Sequence, residues 1–282
     1  MIRATLIAAA VAAHARPGQP ARACRGRACL RGSAMTVRRV HGCLAVLVVL
    51  GAFAASGAQA AAYIPEGSWG GYTAQVASGH FTAVAASWIE PTTSCTKQRS
   101  EASFWIGLGG SGNTSFYGPL QDGTDADCVG GATRDFAWYE AFPDGPVTIR
   151  HFQIHPGDSV SSTIVTTPYR ATFRLRDNTT GRSYTHHLSL RLHPAATQTA
   201  EWVVEGPYND AAPVWLLGAF TPVTFTAASA TASGHTGTIS DPAWQLYPEQ
   251  IIDAISGSVA PSLLDAAGDS FTLTTDSLTV AP

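Results

Sequence analysis

The groups in this chain that could carry chemistry are acids and one amide, each set beside aromatics. Gln121 stands in Leu120-Gln121-Asp122-Gly123-Thr124-Asp125, Glu140 closes Ala137-Trp138-Tyr139-Glu140, and Glu201 and Glu205 lie in Ala200-Glu201-Trp202-Val203-Val204-Glu205. A positioned carboxylate can take a proton from water and pass it on, and an amide N–H can steady a developing oxyanion. Other chemistries lack their residues. Gly109-Gly110-Ser111-Gly112-Asn113 ends in the wrong residue for a nucleophile elbow, and Asp122-Gly123-Thr124 has the wrong order for a paired-aspartate protease loop. The sequence holds no H-E-x-x-H, P-loop or dinucleotide fingerprint. His151 with His155 and the adjacent His186 and His187 lack a third zinc ligand, so they read as solvated or packed histidines. Neither a metal nor a cofactor is expected.

These groups sit in segments that alternate like strands. Period two puts Phe136, Trp138 and Glu140 on one side of their segment; it puts Glu201, Val203 and Glu205 on one side and Trp202 and Val204 on the other. A glutamate within an apolar strand is costly to bury without a partner. Two on one side therefore mark either an acidic recess or a wet outer face, and spacing alone leaves both open. β-rich runs recur at Phe81–Ile89, Ala102–Leu108, Arg134–Phe142, Val160–Thr166, Ala171–Arg176, Ser183–Leu192, Ala200–Glu205, Val223–Ala228 and Ser270–Leu278. Turn signals such as Pro143-Asp144-Gly145 and Pro156-Gly157-Asp158 separate them. Many short strands at this spacing predict an all-β sandwich or barrel. Pro248–Ser256 reads as a short helix.

The charge balance divides the chain. Residues 1–60 carry eight Arg and no acid, whereas residues 61–282 carry nine bases against twenty acids, a net of −11 hidden within the overall −3. So acidic a body, with Lys97 its single lysine, excludes a phosphate backbone as partner. Met35 opens a secretory signal pattern: Arg38 and Arg39, an apolar run from Cys43 to Ala55, and the small-x-small site Ala58-Gln59-Ala60. Residues 1–60 are thus read as an extension plus leader, and 61–282 as one domain, secreted, monomeric and free of membrane once the leader is removed. Cys95 and Cys128 are the two cysteines of that body, and an even pair in an exported domain predicts one disulfide, stabilising by about 2–4 kcal/mol. Asn113 and Asn178 fit the N-x-[ST] pattern.

Six segments in order resemble the glutamic peptidases, the eqolisin family: Ser68-Trp69-Gly70-Gly71; Phe81 to Pro91; Phe104-Trp105-Ile106-Gly107-Leu108-Gly109-Gly110; Gln121-Asp122-Gly123-Thr124-Asp125; Ala137-Trp138-Tyr139-Glu140 with Pro143; and Ala200 to Glu205. The resemblance implies two curved antiparallel sheets packed face to face, with a substrate groove on the concave side. It implies an acid endopeptidase, insensitive to pepstatin, that acts on polypeptides. Its catalytic pair would be Gln121 and a glutamate, matched to Glu205 rather than Glu201, with Trp69, Trp105 and Glu140 lining the groove. The chain departs from the fungal pattern at Gly109, where an aspartate is usual, and at Phe136, where an acid is usual; Asp135 is one residue early and faces the other way. Trp69 and Trp105 also suit plain core packing. A non-catalytic carbohydrate- or peptide-binding sandwich would keep those tryptophans without needing Gln121 and a glutamate together, and a glycosidase would need two carboxylates, such as Glu205 and Glu140, at a set separation.

Overall fold

A computed structural model describes residues 64–111, 118–207, 215–253 and 257–276. The expected extension and leader, and Asn113, lie outside the described residues. Those described form seventeen strands, with one 3-10 turn at Pro194–Thr197. The fold is an all-β sandwich, antiparallel except at two short pairings.

The first sheet runs, neighbour to neighbour, β7 (Val147–Thr148), β6 (Ala132–Ala141), β5 (Leu120–Val129), β4 (Ser100–Leu108), β11 (Thr199–Glu205), β2 (Trp69–Gln75), β15 (Gln245–Asp253), β16 (Gly257–Pro261) and β17 (Phe271–Asp276). The parallel additions are β1 (Ile64–Glu66) on β15 and β12 (Leu216–Leu217) on β4. The second sheet runs β10 (Ser183–Ser189), β9 (Arg170–Asp177), β8 (Ser159–Thr167), β3 (Phe81–Ile89), β13 (Val223–Ala232) and β14 (His235–Thr238). Strand β13 serves both sheets. Val223–Phe225 pair with β17, then the register shifts between Thr226 and Ser229, and the rest pairs with β3. Ala227, at φ 50°, sits in that irregularity, a left-handed conformation that a bulge imposes and an alanine tolerates poorly.

Alternation sorts the side chains into two clusters. Phe104, Ile106, Trp202 and Val204 of the first sheet meet Val84, Trp88, Ile164 and Phe173 of the second in the main core. Trp105, Trp138 and Val203, each one residue out of phase with core neighbours, form a separate cluster with Trp69 and Phe136 on the opposite face of the first sheet. The tryptophans expected either as groove walls or as core therefore belong to this second face. Close approach of β4 and β5 there demands glycine. A Cβ on Gly123 would lie 2.2 Å from the Phe104 carbonyl oxygen and 2.6 Å from Trp105 Cβ. Gly123→Ala is expected to lower stability by about 1–3 kcal/mol, read as a reduced urea midpoint with unchanged slope.

One sequence expectation is overturned. The described part of Pro248–Ser256 is not a short helix, since Gln245–Asp253 is strand β15, with Pro248 opposite Tyr72 of β2 and Ile251 buried opposite Val259 of β16; residues 254–256 lie outside the described residues. Pairing on both margins and burial of Ile251 outweigh the weak local preference. Cys95 and Cys128 form a disulfide, Cα atoms 5.2 Å apart, fastening the end of β5 to the segment before β4. His187 shares a hydrogen bond with the Thr172 hydroxyl, and His186 stacks on Tyr139 at 4.5 Å. Asn178 stays exposed at the β9–β10 turn.

Candidate functional site

Opposed residues of antiparallel strands point the same way, so register defines the outer face of the first sheet. Across β11, β4, β5 and β6 one row holds Glu201, Gly107, Gln121 and Glu140. The next row holds Val203, Trp105, Gly123 and Trp138, and the third holds Glu205, Ser103, Asp125 and Phe136. On the other side of β11, Trp69 stands opposite Glu205, and Glu249 of β15 stands opposite Gly71. All the residues singled out from sequence, Gln121, Glu205, Trp69, Trp105 and Glu140, thus share this face. Asp135 points the other way, on the core side.

Within the face the side chains group by row. The Gln121 amide Nε2–H donates to Glu140 Oε2 at 2.7 Å, while its Oε1 has no hydrogen-bond partner among the described residues. Glu201 lies in the same row, and between them stands Gly107, which has no side chain. Glu201 reaches over it, its Oε2 3.3 Å from where a Gly107 Cβ would be. Trp105 reaches over the same glycine, its Cζ3 2.8 Å from that position. Glu205 is placed differently, two strands over from Gln121 and four residues along. Its Oε2 accepts from Trp105 Nε1 at 2.9 Å, Trp69 also donates to it, and the Trp69 and Trp105 rings meet edge to face at 4.9 Å. Trp105 therefore runs from Glu205 at its nitrogen end to Glu201 and Gly107 at its benzene end.

The carboxyls here hold their protons tightly. Burial drives Glu201 well above its ordinary value, opposed by the Thr199 hydroxyl and reinforced by Glu249 nearby. Burial pushes Glu205 up to about 7 against the two indole hydrogen bonds, with Glu101 and Glu140 raising it further. Glu140 is raised by burial and partly relieved by Gln121. Glu140 lies three strands from Glu205 and four residues along, about 20 Å in a flat sheet. That its charge still reaches Glu205 fits a face bowed inward. Glu249, 1% exposed and accepting from Ser111, carries no signal in the sequence, because nothing in Gln245-Leu246-Tyr247-Pro248-Glu249 sets that acid apart. Among the described residues no cluster of His, Cys, Asp and Glu is fit to hold a metal ion.

Residues 67–261 match the model of the peptidase A4 family. The chain belongs to that family. To aspergillopepsin-2 of Aspergillus niger it is 35% identical over 183 residues, 63% of this chain and 61% of that protein, so it spans under two thirds of that relative. The solved structure of aspergilloglutamic peptidase from Aspergillus niger is 30% identical, with a TM-score of 0.52 over 62% of this chain and 98% of that one. Scytalido-glutamic peptidase, solved with a transition-state analogue inhibitor, gives a TM-score of 0.60 at 22% identity over 74% of this chain and 98% of that one. The likeness at 22% bears on fold, and it supports the two-sheet sandwich of this A4 family member. The resemblance drawn from six sequence segments and the family match name the same group, the eqolisins or glutamic peptidases.

Proposed function

We propose that the protein is a secreted endopeptidase that cleaves peptide bonds with Gln121 and a glutamate of β11. The observation that carries the catalytic reading is the row Glu201–Gly107–Gln121, which sets a buried carboxyl and an amide on one face with a bare glycine between them, Glu201 reaching over that glycine and Gln121 held by Glu140. A water held between them loses a proton to the glutamate as it attacks the peptide carbonyl. The Gln121 amide steadies the oxyanion, and the glutamate returns the proton to the leaving nitrogen. Water and peptide entering the recess supply hydrogen bonds to the carboxylate, which counter its burial. Trp69, partly exposed, offers a flat wall to an extended chain, backed by the buried Trp105 and Trp138, while Glu140 accepts from the Gln121 amide and holds it.

Two glutamates compete for the role of base. The motif nominates Glu205, which shares the face with Gln121. Register favours Glu201, since it stands in Gln121's own row, while the Glu205 carboxyl is engaged in orienting Trp105 and Trp69. Gln121→Ala is expected to lower kcat/KM for a peptide substrate by about 10²–10³-fold with the urea midpoint kept. An unchanged rate would remove the amide from the mechanism. A decisive first assay is casein digestion in acid with pepstatin present; no digestion there would leave a peptide-binding module as the better reading. Export rests on the leader pattern of residues 35–60 and is tested by sequencing the N-terminus of protein recovered from medium.

A further inference from the structure

The outer face of the second sheet holds no part of the catalytic row, and its charge has the opposite sign. Five of the nine bases of residues 61–282, Arg170, Arg174, Arg176, Arg182 and Arg191, lie on or beside β9 and β10. The strands of this sheet hold one acid, Asp177, which is buried and accepts from the N–H groups of Thr179 and Thr180 in its own turn. Period two puts Arg170, Arg174 and Arg176 on the outside of β9, all three exposed, and among the described residues none of them forms an ion pair.

From the arginines inward, register lays out rows of hydroxyls. Arg176 stands opposite Ser183 of β10 and Ser161 of β8, Ser161 opposite Ser87 of β3, and Ser87 opposite Thr226 of β13. The next row holds Arg174, Thr163, Ala85 and Ser229. Asn178 ties the first row together: its Oδ1 accepts from Arg176 Nε at 3.0 Å, and its Nδ2 donates to Ser161 Oγ at 3.3 Å. Where β13 slips in register after Thr226, a cleft of about 290 Å³ opens at the end of that row, lined by Ser87, Ser159, Thr224, Thr226, Ile89 and Pro222. Ile89 is 55% exposed, a large apolar group set among hydroxyls.

We propose that this face binds an acidic polysaccharide, a chain of sugars bearing carboxylates, with one sugar seated in the Ile89 cleft and the carboxylates of its neighbours on Arg176 and Arg174. A sugar ring offers hydroxyls at its edge and C–H groups on its face, which suits serine and threonine hydroxyls around one apolar side chain. A guanidinium pairs with a carboxylate through two parallel hydrogen bonds. Two strand spacings, about 10 Å, separate Ser87 from Arg176, so a ligand that reaches both is an oligomer of small units. An acidic peptide would find no main-chain partner here, because β3, β8 and β9 are paired on both margins. A nucleic acid would be repelled by a body of net −11. The site holds the protein on an acidic glycan while leaving the recess of the first sheet open.

The test is isothermal titration at pH 5 and low salt with polygalacturonate, neutral galactan, polyglutamate and dextran sulfate. The wild-type protein is expected to bind polygalacturonate about tenfold or more tightly than galactan or polyglutamate. The double variant Arg174→Gln, Arg176→Gln should weaken that binding about tenfold or more. Thr226→Tyr, which fills the cleft, should weaken polygalacturonate and leave dextran sulfate unchanged. Urea midpoints check that both variants fold, and Ile89→Ser, which removes the apolar side chain of the cleft, replaces Thr226→Tyr if that variant does not. No binding of polygalacturonate by the wild-type protein, binding no tighter than that of polyglutamate, or binding that the arginine and cleft variants leave intact overturns the site. Binding of dextran sulfate alone marks a plain charged patch and overturns it too. None of these readouts needs peptide cleavage, so the result stands apart from the fate of the Gln121 row.

Discussion

Glu201→Gln is expected to abolish peptide hydrolysis, a loss of about 10²–10⁴-fold or more in kcat, with the fold kept. The change is isosteric, and burial favours the neutral form of Glu201 in the free protein, so packing in the Gly107 row is undisturbed. It takes away the group that receives the water's proton, and an amide has no means of replacing it. Glu205→Gln is expected to cost much less in kcat, under about tenfold on the lower bound of that range, because its oxygen can still accept from Trp105 and hold the indole in place. Measured side by side with one peptide, the two variants decide between the readings. If Glu205→Gln is dead while Glu201→Gln retains activity, the base is Glu205 and the motif-based assignment stands over the register-based one.

The second large effect is on stability against pH. Between the sheets lie carboxyls that form no ion pair with a cation among the described residues. Glu90, 1% exposed, accepts from Thr124 Oγ1 at 2.6 Å and Trp88 Nε1 at 3.3 Å, and Asp122, also 1% exposed, accepts from Ser162 of β8. Those bonds favour the ionised forms, but burial wins: Glu90 is pushed from its ordinary 4.5 to about 8, and Asp122 lies well above its ordinary value. The folded protein therefore keeps protons that the unfolded chain releases above about pH 4.5, so the stability they bring is complete below that pH and is lost as pH rises through about 8. For Glu90 alone the loss approaches about 5 kcal/mol. Asp241 acts in the opposite sense, held low by the Ala243 N–H and His235, but it is at the surface where solvent screens it. Urea midpoints are expected to fall steadily from pH 4 to pH 8, and Glu90→Gln should flatten much of that slope. A midpoint that holds level or climbs over this range would mean that these acids are ionised in the fold. A protein with this profile keeps its structure in acid and gives it up near neutrality.

How much of this was legible beforehand differs strand by strand. β3, β6, β8 and β11 could be read because their alternation is plain, and Trp202 and Val204 against Glu201 and Val203 split onto two faces as period two requires. β5 was visible as a motif but not as a strand. Asp122 and Thr124 point into the core, and the groups that satisfy them, Ser162 and Glu90, come from distant segments. β15 was masked by Pro248, and with it Glu249 stayed out of sight. The choice between Glu201 and Glu205 could not be made from spacing, since both face the same way; it depends on which residue of β4 stands between each glutamate and β5.

The passage of β13 from one sheet to the other has a mechanical side. A single backbone binds the two layers along that margin like the spine of a book, whereas β7 and β10 are free covers at the opposite edges. Heat or tension should first part the layers there and reach the spine last, so amide exchange ought to be fastest in β7 and β10 and slowest around Phe225 and Ala230.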